Sequence, residues 1–150
     1  MRKTVMAMVC VAVTGGAAGC GGEDSGDEYE SASSEGAAGG PGAEQALNGC
    51  DAASAEDHTG EDAVAIATDG FSYSPACVRV SAGTRVTIQS NFASHPLEPG
   101  NAATREADDG SPIVPTAAGT SVDVVFVSAG AFGFYCQVHA PTMAGAVFVE

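Results

Sequence analysis

From about residue 60 onward the sequence predicts an all-β fold, an antiparallel β-sandwich. Three observations carry this reading. Apolar residues alternate with period two, Gly-rich turn signals separate the alternating runs, and no window of helical length shows a convincing 3.6-residue period. Six or more short strands within roughly 90–105 residues suit a sandwich, and a domain of that size buries an adequate core unaided.

Each element follows in order. "AVAIATDGFSYSP" reads as a strand running into a turn. In "CVRVSAGTRVTIQS", Val78 and Val80 flank Arg79, and Val86 and Ile88 alternate with Arg85, Thr87 and Gln89. The "SAG" between them is a turn signal. "EPGNAATREADDGSPIVPTAAG" reads as an irregular excursion with room for a short helix. "SVDVVFV" and "GAVFVE" are rich in β-branched residues, as strands are. "AFGFYC" sets Phe132, Phe134 and Cys136 on one face of a strand. There is no internal repeat.

The N-terminal part has a different character. Arg2 and Lys3 precede "TVMAMVCVAV", an apolar run too short to span a bilayer, and small residues follow. This is the layout of a secretory signal, expected over residues 1–19, and it implies export to an oxidising compartment. Ala17-Ala18-Gly19-Cys20 resembles a bacterial lipobox, which makes Cys20 the expected lipidation site and the protein lipid-anchored to a bacterial membrane, facing the periplasm or the cell surface. The alternative is conventional cleavage that leaves a soluble protein. Gly21 rather than an aspartate fits outer-membrane sorting in a Gram-negative host. Residues 20–48, rich in Gly, Ser, Ala and acids, have almost nothing to bury and are expected to form a disordered tether. A flexible stretch of about 25 residues reaches about 25–30 Å. The folded domain is expected over 49–150.

The formal net charge is −14, and removal of Arg2 and Lys3 with the signal takes it to −16. That excludes nucleic acid as a partner, which needs a basic footprint. An acidic surface suits a basic protein partner reached by salt-sensitive steering.

Five cysteines are present. Cys10 leaves with the signal and Cys20 is the lipid-bearing residue, so Cys50, Cys77 and Cys136 remain. Three thiols cannot all pair within one exported chain. Cys50 and Cys77 both lie near the start of the domain and are the expected disulfide. The alternative pairing, Cys77 with Cys136, uses the cysteine with the most reactive neighbours.

Those neighbours pose the functional question. Cys136, His139 and Met143 fall within eight residues of "FGFYCQVHAPTMAGAVFVE". Thiolate is a soft ligand, imidazole is borderline, and a thioether binds well to soft metals, notably reduced copper. A trigonal site needs a second imidazole. His58 lies in the acidic run "SAEDHTGED" and reads as a surface residue, whereas His95 follows directly on the strand "RVTIQSN" and is the better partner. Two His, one Cys and a distant Met form the blue-copper electron-transfer set. Alone, each of these residues has a bland reading: a surface histidine, a core methionine, a small buried cysteine.

Over roughly residues 62–150 the chain resembles the cupredoxins, the family of plastocyanin, pseudoazurin, amicyanin and azurin. "DGFSYSPACVRVSAGTRVTI" is similar to their first strands, "ASHPL" to their upstream ligand histidine, and "FGFYCQVHAPTMAGAVFV" to their ligand loop and last strand. The resemblance implies a Greek-key sandwich holding one Cu(I)/Cu(II) ion. Cys136 is then the thiolate ligand, His95 and His139 the imidazoles, and Met143 the axial thioether. It implies electron exchange through the ring of His139, ringed by an apolar patch that Pro96, Leu97, Ala140, Pro141 and Ala144 are placed to form. Family members often have Asn after the upstream histidine, tying the ligand loops together. Pro96 stands there in this chain, so Asn91, Ser94 or a backbone amide is expected to take that role.

Zinc fits the donor set less well, and there is no C-x-x-C pair and no C-x-x-C-H haem motif. No carboxylate pair or Ser/His/Asp set stands out, so an enzyme is not expected. The expected function is a type 1 copper electron carrier, a monomer, exchanging single electrons with exported redox proteins such as a cytochrome or an oxidase. The alternatives are copper storage or delivery with the same ligands and, last, a metal-free structural sandwich.

Overall fold

A computed structural model describes residues 46–150, all of it strand, turn and loop. The signal, Cys20 and the tether as far as residue 45 lie outside the described residues.

Ten strands appear in chain order: β1 (Glu56–His58), β2 (Ala63–Asp69), β3 (Ser72–Ser74), β4 (Cys77–Val80), β5 (Arg85–Gln89), β6 (Leu97–Asn101), β7 (Glu106–Ala107), β8 (Ser121–Val125), β9 (Gly130–Cys136) and β10 (Ala144–Val149). They form a six-stranded sheet, β1-β4-β10-β9-β6-β7, and a four-stranded sheet, β3-β2-β5-β8. The inward residues of both sheets make one core, with Val78, Val80, Val147 and Phe134 from the first meeting Ile66, Val86, Ile88 and Val124 from the second. Burying these side chains contributes about 1.5–3 kcal/mol each before the cost of ordering them.

The sandwich is as the period-two pattern predicts, but its pairing is mixed rather than purely antiparallel. β1–β4, β4–β10 and β2–β5 run parallel. For β2–β5 the reason lies in the "SAG" turn, which carries the chain from β4 in one sheet to β5 in the other. Its amides are taken up at the corner, Ala82 donating to the Glu150 carbonyl (2.9 Å) and Gly83 to that of Phe126 (2.7 Å). A chain that changes sheets this way returns beside an earlier strand in the same direction.

The excursion after His95 holds no helix among the described residues. It opens instead with β6, antiparallel to β9 with Leu97 opposite Cys136 and Pro99 opposite Phe134. Proline and glycine at 99 and 100 disguise this strand in the sequence.

The domain also begins earlier than its composition suggests. Leu47 and Cys50 exchange two backbone hydrogen bonds of 2.9 Å, and the Asn48 side chain enters the six-stranded sheet. Residues 46–48, expected in the tether, therefore belong to the fold. The Asn48 amide nitrogen donates to the carbonyls of Gly100 (2.9 Å), Phe134 (3.2 Å) and Gly145 (3.0 Å), and its oxygen accepts from the Ala102 N–H (2.7 Å). One side chain thus links β6, β9 and β10. Gly133 leaves room for it, since a Cβ there would come 2.7 Å from the Asn48 nitrogen and collide with the Gly100 carbonyl. Cys50 and Cys77 form the expected disulfide, with a Cα–Cα distance of 5.4 Å.

Candidate metal centre

β9 delivers the first donor. Its alternation turns Phe134 and Cys136 into the core, both fully buried, and Cys136 is the free thiol among the described cysteines. Beyond it the chain folds back on itself. The Ala140 N–H donates to the Cys136 carbonyl (3.0 Å), and those of Thr142 and Met143 donate to His139 (both 3.1 Å). The Cys136 N–H closes the loop on Met143 (2.9 Å). This turn brings His139 Nδ1 to 3.4 Å from Cys136 Sγ.

The second imidazole arrives from the other sheet. After β5, Phe92 anchors the chain in the core, and the N–H groups of Ser94 and His95 both donate to the Asn91 carbonyl (2.9 and 2.8 Å). His95 Nδ1 then lies 3.1 Å from His139 Nδ1 and 3.9 Å from Cys136 Sγ. The tie between the two ligand segments is backbone: the Gln137 N–H donates to the Pro96 carbonyl (2.9 Å), next to the Leu97–Cys136 register pair. Of the groups expected to replace the missing Asn, the backbone amide is the one that does so.

His95, Cys136 and His139 thus form the cluster of potential metal ligands that the sequence places together. Met143 is fully buried in the same core cluster as Cys136. His58 stands apart in β1, with Glu56 and Glu61 carboxylates 3.0 and 3.1 Å away. A point equidistant from three atoms spaced like the two Nδ1 and the Sγ lies about 2 Å from each, close to the usual bond length between imidazole nitrogen and a divalent ion. The donors therefore fit a single ion of borderline softness, with the sulfur shielded from water.

Two aromatic side chains near the cluster had no assigned role in the sequence. Phe71, at the β2–β3 turn, is 66% exposed, and its ring centroid lies 4.8 Å from that of His139 and 6.1 Å from that of His95. Gly70 immediately before it, at φ 60°, is the one signal, since it marks a turn tip that leaves the next side chain outside. Tyr73 is buried edge-on against Phe134, and its hydroxyl has no hydrogen-bond partner. Burial, and then the nearby charge of Cys136, push its ionisation well above the ordinary 10.0. The expected apolar rim needs correcting too. Leu97 and Ala140 are buried and Pro96 and Ala144 half-buried, which leaves Pro141 as the exposed member, and Phe71 is exposed against the His139 ring.

A β-sandwich with one cysteine sulfur and two imidazoles converging at one end defines a mononuclear metal-binding domain. The sequence profile of the copper binding proteins of the plastocyanin/azurin family matches residues 60–150, and the chain belongs to that family. Copper is its cofactor, as the donor set implies. Among solved structures, a purple cupredoxin from Nitrosopumilus maritimus is similar at 22% identity, covering 58% of this chain and 99% of its own, with a TM-score of 0.45. Amicyanin from Paracoccus versutus is similar at 22% identity, covering 60% of this chain and 83% of its own, with a TM-score of 0.43. Among curated proteins, none matches the chain.

Proposed function

We propose that this protein is an exported type 1 copper electron carrier, anchored by a lipid at Cys20 and held to the copper by His95, Cys136, His139 and Met143. The observation that supports it most is the triangle of one buried thiol and two Nδ1 atoms, with sides of 3.1, 3.4 and 3.9 Å. When bound there, copper supplies a one-electron couple that is tuned by its ligands. Cys136 contributes the strong sulfur bond from a position that excludes water. His95 and His139 sit in hydrogen-bonded turns at the edge of a packed sandwich, so they need move little as charge changes. Met143, carried on the same loop, would supply a thioether donor to the ion. The partly exposed His139 ring, with Phe71 beside it, is the route for electrons to enter and leave.

The disulfide supports export, because such bonds persist in oxidising compartments. The net charge of −14 supports a basic docking partner such as a cytochrome or an oxidase. Electron exchange with a basic cytochrome, followed by stopped flow at rising salt, tests the role. A carrier exchanges rapidly, slows as salt rises, and retains its copper throughout. Copper release to a chelating acceptor with slow exchange would instead favour storage or delivery.

A further inference from the structure

Arg105 is exposed, yet it is tied to the ligand loop. Its Nη1 donates to the Gln137 carbonyl (3.0 Å) and its Nη2 to the Ala140 carbonyl (2.8 Å). These two carbonyls flank Val138 and His139. The loop's own amides are directed elsewhere, those of Ala140, Thr142 and Met143 to the carbonyls of Cys136 and His139 and that of Gln137 to Pro96. A guanidinium is a planar fork of N–H donors, so it can bridge two acceptors at fixed spacing, and its charge strengthens both bonds.

The base of this fork is itself fixed. The Asn101 carboxamide oxygen accepts from the N–H groups of Ala103 (2.9 Å) and Thr104 (3.2 Å), shaping the turn between β6 and β7. Ala102, within that turn, is buried against Tyr135 and Ala140. Arg105 has φ 59°, a left-handed backbone that suits glycine or asparagine far better than a long side chain. Were this only a turn position, glycine would serve it with less strain. The other two arginines among the described residues are placed elsewhere: Arg79 pairs with Asp57 (2.7 Å), and Arg85 opens β5.

We propose that Arg105 is a positioning residue for the ligand loop, clamping the segment that carries His139 and so setting how that imidazole is presented to the metal. Its effect on the metal rests on the copper-carrier reading; its effect on the loop does not. The clamp also leaves a positive charge beside the loop of a strongly acidic protein, which favours the reduced ion.

Amide hydrogen exchange in the metal-free protein tests the clamp without copper. In Arg105→Gly and Arg105→Met the Ala140, Thr142 and Met143 amides should exchange about tenfold faster, while those of β2 and β5 keep their rates. Arg105→Lys, with a single ammonium, should restore part of the protection. After copper loading, Arg105→Gly should broaden the EPR lines and lower the reduction potential at low salt, with partial recovery in Arg105→Lys. Wild-type loop exchange in Arg105→Gly, or acceleration spread over the whole domain, would overturn the proposal. Faster loop exchange with an unaltered copper spectrum would overturn it as well, because the imidazole would then be presented unchanged.

Discussion

The ring of Phe71 leans on the ring of His139, centroid to centroid 4.8 Å at an angle of 53°, although the two residues are 68 positions apart in sequence. The contact comes from a turn tip in one sheet and the ligand loop of the other. An aromatic pair of this kind contributes about 0.5–1.5 kcal/mol beyond simple burial. Phe71→Ala should therefore weaken copper retention about two- to tenfold. Because the contact is also made without metal, the metal-free domain should lose no more than the same amount, about 1.5 kcal/mol at most. Competition with a copper chelator measures the first and a melting curve the second.

Asn48 makes a different kind of contact, four hydrogen bonds across three strands. Asn48→Ala strands several of these backbone groups and should cost about 2–4 kcal/mol in a urea titration. Cys136 lies beyond the reach of this side chain in β9, so the position of the visible band of the loaded protein should stay near that of the parent.

Tyr73 buries a hydroxyl with no partner. Tyr73→Phe keeps the edge contact with Phe134 and removes the unsatisfied group. It should raise stability by about 1 kcal/mol, read from the urea midpoint. A loss of stability would mean that the hydroxyl is bonded in solution.

Acid should weaken the fold partly through Asp57. The Thr59 hydroxyl, then the Thr59 amide and the Arg79 guanidinium, hold this carboxylate well below its ordinary 3.8. The unfolded chain therefore binds the proton more tightly, and the ionised group's contribution is fully present above that value. It is lost as pH falls toward the depressed one. The stability difference between wild type and Asp57→Asn should be constant near neutrality and shrink below 3.8. Urea midpoints taken between neutrality and about pH 2 show whether it does.

Much of this was legible in the residues. Period-two runs marked β2, β4, β5 and β9, and β-branched content marked β8 and β10, the last of these buried on both faces. The ligand candidates stood out because three soft or borderline donors crowd one loop. The Cys50–Cys77 pairing followed from the place of both cysteines near the start of the domain. What stayed hidden depends on contacts between distant segments. The parallel pairing of β2 with β5 arises from a corner rather than a hairpin, and nothing local distinguishes the two. Pro99 and Gly100 masked β6. Asn48 looked like part of an acidic, glycine-rich stretch, because its acceptors lie 52 to 97 residues away. Arg105 lay within a segment with no clear periodicity, and only the fold brings it to the ligand loop.

The most direct test of the central claim is the visible absorption and EPR spectrum of the Cu(II)-loaded protein, compared with Cys136→Ser. The account predicts an intense sulfur-to-copper band that bleaches on reduction and is missing from the variant. A pale spectrum of ordinary tetragonal copper, the same in both proteins, would contradict it.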